Sequence, residues 1–233
     1  MIVVSFCLYG PERPLYSEGL LENIALIGHH FPTWTVYVYV APDVPESFLD
    51  RLRVCSSVRL RQTNVLGAEN KTFRFFAIDE PDVDTMFVRD TDSRIGWRDR
   101  WAMQQFLSSS CVAHTIRDNP EHTAPLLGGL WALTSAARLS LRTLYEAYPH
   151  KHVETRYCSD QNFLADCVYP KVRRSLLVHH GAGVIRPGEQ VVSFPFPWSE
   201  DTYCGRIQQG SFLDTQQPRP TPKSWSILRL SHP

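Results

Sequence analysis

From Ile2 to Arg89, short apolar runs rich in β-branched residues alternate with helix-spaced segments, and that alternation restricts the chain to a layered α/β fold. Ile2 to Tyr9 is apolar and aromatic and is closed by Gly10-Pro11, which predicts a buried first strand followed by a loop. Between Leu15 and Phe31, Leu20, Ile24 and Ile27 recur at helical spacing, and Pro32 stops that helix. Trp34 to Ala41 reads as a second strand and Pro42 to Arg53 as a short helix. Ser57 to Gln62 reads as a third strand, with Val58 and Leu60 alternating with Arg59 and Arg61. A β-α-β-α-β order of this kind calls for parallel strands with helices on both faces of the sheet.

Asn70 to Asp79 places Phe73, Phe76 and Ala77 on one helical face with Arg74 beside them. The run Asp84 to Arg89 then forms a fourth strand that ends at Asp90-Thr91-Asp92. The pattern continues with a helix over Trp97 to Leu107, a strand over Cys111 to Ile116 and a Gly128-Gly129 turn into Leu130 to Leu133. Helices over Ser135 to Tyr148 and from Ser159 to Cys167 follow, then a strand over Leu176 to His180. Pro195 to Pro233 is rich in proline and lacks periodicity, which predicts lid-like loops and then a loosely held tail. The expected organisation is one domain over 1–210 and a C-terminal tail over 211–233.

The 233 residues carry 24 Lys+Arg against 24 Asp+Glu, so no global field attracts nucleic acid or anionic lipid, and an anionic ligand needs a local cluster. A hydrophobic fraction of 43% supplies a core and argues against disorder. The longest apolar runs are far shorter than the roughly 20 residues that span a bilayer, and the N-terminus lacks the pattern of a secretory signal. The expected location is therefore the cytoplasm of the cell or host cell. Six cysteines without a C-x-x-C pair read as reduced, mostly buried thiols.

The chemistry concentrates at the end of the fourth strand, because ligands of open α/β sheets lie outside the carboxyl ends of the strands. Asp90 and Asp92, two residues apart in an extended segment, can both turn toward one hard divalent cation, Mn2+ or Mg2+, which keeps room for waters and phosphate oxygens. The same acids can instead cap the following turn or pair with Arg89 and Arg94.

Arg89-Asp90-Thr91-Asp92-Ser93-Arg94, preceded by Thr72-Phe73-Arg74-Phe75-Phe76-Ala77 and Asp82-Val83-Asp84, resembles the small GT-A-type glycosyltransferases of large DNA viruses and some bacteria. His114-Thr115-Ile116-Arg117-Asp118-Asn119-Pro120, Leu127-Gly128-Gly129-Leu130-Trp131, Ser159-Asp160-Gln161 and Phe194-Pro195 are similar to the same family. The resemblance runs from the first strand to about Gly210. It implies a single GT-A, Rossmann-like domain whose mixed, mostly parallel sheet is flanked by helices on both faces. It also implies transfer of a hexosyl-type sugar from a nucleotide diphosphate donor to a glycan or other hydroxyl acceptor.

By that resemblance Asp90 and Asp92 hold the cation and, through it, the donor diphosphate, with Thr91 between them. The first strand and its exit loop, Phe6, Leu8, Tyr9 and Gly10, lie against base and ribose. Arg74 donates to the donor, and Arg89 and Arg94 orient the acids or touch phosphate. Gly128 and Gly129 sit under the transferred sugar with Trp131 as a stacking face, and His114 and Asp118 bond its hydroxyls. Asp160 is the preferred base toward the acceptor hydroxyl, with Glu154 and Asp166 ranked below it. His179, of the His179-His180 pair, is a candidate third metal ligand. For the helix, turn and histidine residues among these, ordinary structural roles are the competing explanation. The donor base, uridine or guanosine, and the inverting or retaining outcome stay open.

Two other functional classes compete. One is a carbohydrate- or nucleotide-sugar-binding protein without turnover, which would release no nucleotide diphosphate from a donor. The other is a haloacid-dehalogenase-type phosphatase, whose D-x-D-x-[TV] pattern has Thr or Val where this chain has Arg94 and lies near the N-terminus rather than after three strands.

Overall fold

The computed structural model describes residues 1–149, 159–208 and 227–229. The N-terminal half follows the predicted order: β1 (Ile2–Leu8), α1 (Pro14–His30), β2 (Thr35–Val40), α2 (Glu46–Arg53), β3 (Val58–Gln62), a 3-10 helix over Gly67–Asp79, β4 (Thr85–Arg89) and α3 (Trp97–Leu107). It continues through β5 (Ala113–Arg117), β6 (Leu130–Thr134), α4 (Leu141–Glu146), α5 (Ser159–Phe163), a π-helical turn over Leu164–Val168, α6 (Tyr169–Val172), β7 (Leu176–His180), β8 (Gln190–Ser193) and β9 (Ile227–Arg229).

The strands form one mixed sheet in the order β3-β2-β1-β4-β6-β5-β7-β8-β9. The four strands from β3 to β4 are parallel, as are β5, β7 and β8. Between these groups β6 runs antiparallel to both β4 and β5, so β6 enters the sheet at the edge where β4 leaves it. Three residues from the segment read as tail, Ile227–Arg229, pair antiparallel with β8.

Alternation along the strands divides the core in two. Val4, Phe6, Val36, Val38 and Phe87 face α1, α2 and α3 through Leu20, Ile24, Phe48, Leu52, Met103 and Phe106. Val3, Cys7, Tyr37, Met86, Val88, Trp131 and Leu133 face the other layer, built by Phe75 and Phe76 of the 3-10 helix with Phe163, Leu164 and Val168. Among the described residues no helix is long and apolar enough to cross a membrane.

Besides β9 and the π-helical turn that follows α5, three elements differ from the periodicity reading. The segment expected as an α-helix from Asn70 is 3-10 helical and starts at Gly67. Its Phe73 and Phe76 pack edge to face with centroids 5.4 Å apart, a spacing of three that a three-residue turn satisfies directly. The helix expected over Ser135 to Tyr148 breaks at Arg138, whose φ is 52°, and restarts behind Ser140, whose hydroxyl caps Thr143 N–H. β8 is a further strand whose four residues carry no readable period.

Candidate active site

The carboxyl ends of β1 and β4, the entry to β6, the 3-10 helix and the start of α5 converge on a cavity of about 460 Å3, within the usual size of ligand sites. β1 supplies Cys7 and Leu8 and then the Tyr9-Gly10 turn, where Gly10 takes φ 76°, a left-handed conformation that side chains resist. β4 supplies Asp90, Thr91 and Asp92. The period of two decides which side chains enter: Val88 packs toward the 3-10 helix, Arg89 turns back beneath α3, and Asp90 turns to the 3-10 helix again.

Arg74 is the electrostatic centre. Its guanidinium, almost wholly buried, ion-pairs with Asp90, donates to the Arg89 carbonyl at 3.1 Å, and reaches Asp160 Oδ2 at 3.3 Å. Burial opposes its charge, yet Asp90, Cys7 and Asp160 outweigh that and raise its pKa. The side chain of Asp90 is 46% exposed and that of Asp160 only 6%. Asp92 lines the same cavity, and burial, reinforced by the charge of Asp90, raises its carboxyl pKa. Burial also pushes the Cys7 thiol up to about 11 and the Tyr9 phenol to about 12, so both stay protonated at neutral pH.

Gly128 and Gly129 make room for acids. A Cβ on Gly128 would lie 2.8 Å from Asp160 Oδ2, and one on Gly129 would overlap the Asp90 carboxylate. The turn is thus the wall against which both acids rest.

The structure gathers Leu8, Tyr9, Gly10, Arg74, Asp90, Thr91, Asp92, Gly128, Gly129 and Asp160 around one cavity. Other expected residues lie elsewhere. Phe6 is wholly buried on the α1 side of β1, one residue out of phase with Cys7. Arg89 is consumed by a bidentate pair with Asp99, at 2.7 and 2.9 Å. Arg94 ion-pairs with Glu22 of α1. Trp131 is wholly buried, edge-on to Phe75, and offers no face to a sugar. Asp118 is buried against Arg98 at 2.6 and 2.8 Å.

His179 is a core residue, not a metal ligand at this site. Its Nδ1 lies 2.8 Å from His114 Nε2, both rings are wholly buried, and neither histidine lines the cavity. Asp166 accepts a hydrogen bond from the Tyr148 hydroxyl at 3.0 Å, away from the cavity. Glu154 lies outside the described residues.

Tyr16 and Ser17 of α1, Lys71 and His122 also line the cavity, and no sequence motif points to them. Lys71 is marked by spacing alone, since it stands three residues before Arg74 and a 3-10 turn superposes those positions. His122 and the α1 residues arrive by tertiary packing, which no local pattern signals.

No family model matches the chain, and no curated protein matches it either. Solved structures do. A mannosyltransferase from Pyrobaculum calidifontis, in complex with GDP-Man and Mn2+, matches with a TM-score of 0.51 at 16% identity, over 79% of this chain and 56% of that one. A glycosyltransferase involved in glycosylation of the major capsid of PBCV-1 matches at 0.51 and 13% identity, over 76% of this chain and 80% of that one. The galactosyltransferase LgtC, in complex with donor and acceptor sugar analogs, matches at 0.52 and 11% identity, over 77% and 73%. The chain spans little more than half the length of the mannosyltransferase. Likeness at these identities establishes the fold: a single α/β domain of the GT-A glycosyltransferase type.

Proposed function

We propose that this chain is a metal-dependent glycosyltransferase that moves a hexosyl-type sugar from a nucleotide diphosphate sugar to a hydroxyl of a glycan or other acceptor. The observation that carries this reading is the convergence of Asp90, Asp92, Arg74 and Asp160 on one cavity at the carboxyl ends of β1 and β4. The fold supports it, as do the similar structures solved with sugar donors.

The donor set suits Mn2+ or Mg2+. Asp92 and Asp90 are hard oxygen donors; burial first and then the like charge of Asp90 raise the Asp92 pKa, and a divalent cation would relieve that repulsion. Two protein carboxylates leave coordination positions for water and phosphate oxygens. When bound, the cation would neutralise charge on the departing diphosphate.

The chain's own groups have separate tasks. Arg74 fixes the directions of Asp90 and Asp160 through a planar fork that a single ammonium cannot reproduce. Tyr9 and Gly10 border the space for the nucleoside, and Lys71 adds a cation to the same wall. Asp160 accepts the acceptor hydroxyl's proton as that oxygen bonds to the anomeric carbon and the bond to the diphosphate breaks. Its Oδ1 is tied to Gln161 N–H at 3.0 Å, while Oδ2 faces Arg74 and Gly128.

Thermal shift with uridine and guanosine diphosphates and their sugars, with and without Mn2+, tests the reading. A rise in melting temperature with one base, dependent on the cation and lost in Asp90→Ala and Asp92→Ala, is the expected result. Full sugar transfer by either variant overturns it.

A further inference from the structure

A second cavity, of about 400 Å3, is walled by Asn119, Pro120, Glu121, Trp198, Glu200 and Tyr203. It adjoins the first. Glu121 lines this groove while His122, the next residue, lines the large cavity. The Tyr203 ring stands edge-on to His122 with centroids 6.0 Å apart, and Gly205 returns to the large cavity.

The groove is built on a buried ion pair rather than on loose loops. Trp198 donates its indole N–H to the Asp118 carbonyl at 2.6 Å, which fixes the ring while leaving the residue 37% exposed. The Asp118 carboxylate, wholly buried, is clamped by Arg98 and also accepts Cys204 N–H at 3.0 Å. Arg98 donates in turn to the carbonyls of Phe196 and Pro197, at 3.4 and 3.1 Å. One guanidinium–carboxylate pair therefore ties both walls, 118–121 and 196–204. A ligand meets a preformed surface and loses little to ordering it.

The lining selects a chemical class. Trp198, its N–H spent on the Asp118 carbonyl, and Tyr203 offer flat apolar faces, and Tyr203 adds a hydroxyl. Glu121 and Glu200 accept hydrogen bonds, and Asn119, whose Oδ1 already receives Glu121 N–H at 2.9 Å, is left its amide N–H groups to donate. Among the described residues no lysine or arginine lines the groove, and Glu121 and Glu200 disfavour a polyanion there. A neutral ligand with apolar ring faces and many hydroxyl groups is a saccharide.

We propose that this groove binds the body of a neutral glycan acceptor, holding sugar units beyond the one that receives the transferred residue. The assignment rests on the transferase reading for the word acceptor, and on the groove alone for the word glycan.

The test is binding of the labelled full chain to an array of neutral and anionic oligosaccharides and proline-rich peptides, alongside Mn2+-dependent thermal shift with nucleotide diphosphates. Wild type is expected to bind a neutral oligosaccharide. Trp198→Ala should bind it about tenfold more weakly and Trp198→Phe should keep most of the affinity, with the nucleotide shift unchanged in both. If Trp198→Ala does not fold, the exposed pair Glu121→Gln and Glu200→Gln carries the test with the same expected loss. Binding of no saccharide, preference for an anionic glycan or a peptide, or full affinity in the variants overturns the proposal, whatever the nucleotide result. Tryptophan-dependent saccharide binding without any nucleotide shift in the wild type would instead overturn the transferase reading and leave a glycan-binding groove.

Discussion

The Asp90 carboxylate occupies the space that a side chain on Gly129 would fill: a Cβ there would stand 1.8 Å from Asp90 Oδ2. Gly129 is not among the residues with positive φ, so alanine meets no backbone strain, only the half-exposed Asp90 side chain, which must leave its ion pair with the buried Arg74 to make room. Gly129→Ala is therefore expected to fold but to lose about 1–3 kcal/mol, because Arg74 keeps Asp160 and gives up Asp90. It should lose the Mn2+-dependent nucleotide shift and transfer sugar about 100-fold more slowly, because a displaced ligand costs positioning. Calorimetry with and without cation checks both halves. Intact cation-dependent binding in a folded Gly129→Ala protein would show that Asp90 does not hold the metal.

Asp160→Asn separates chemistry from binding. The amide preserves shape and still meets Arg74 Nη2 through its carbonyl, but it accepts no proton. Donor binding by thermal shift should stay within about threefold of wild type, while transfer to an acceptor falls by about 1,000-fold or more, the scale of a lost general base with its charge. Parallel loss of donor affinity and turnover would instead assign Asp160 to ligand binding.

The layered fold and the strand that carries the acids were legible because each depends on short-range periodicity. Trp97–Leu107 and Leu176–His180 come out with the bounds that their spacing predicts. The cavity was legible only in part. Asp90, Asp92 and Arg74 stood out as charges beside apolar strands, but the sequence does not say on which side of the sheet Arg89, Phe6 or Trp131 falls without a register for β1, β4 and β6. One residue of phase separates Arg89, spent on Asp99, from Asp90 in the cavity. His179 and Asp118 misled for a different reason: buried polar residues at strand ends look alike whether they face a ligand or each other, and only tertiary pairing distinguishes them.

Arg89 should consequently behave as a folding residue. Arg89→Met leaves Asp99 buried and unpaired, which costs about 3–5 kcal/mol in unfolding experiments. The double variant Arg89→Met, Asp99→Leu should recover most of that loss, and nucleotide binding by the folded fraction should be unaffected. Equal destabilisation by the single and double variants would mean that the pair itself, rather than its unpaired remnant, holds the fold.

The histidine pair under α3 predicts how stability depends on pH. Burial pushes His179 down to about 3 and, with the neighbouring His179 and Arg89, holds His114 well below its ordinary 6.5. Both rings sit among Trp101, Phe106 and Phe194 and stay neutral in the folded chain. In the unfolded chain each takes up a proton as pH falls past about 6.5, so the unfolded state binds more protons and folding stability drops with acid. The contribution is absent above that pH and grows toward about 2.7 kcal/mol per pH unit for two rings well below it. His122, pushed down to about 4 by burial, adds a share of its own. Urea unfolding between roughly pH 7 and pH 5 measures the slope. His179→Leu should reduce it by about one proton, whereas an undiminished slope in that variant would place the titration outside the pair.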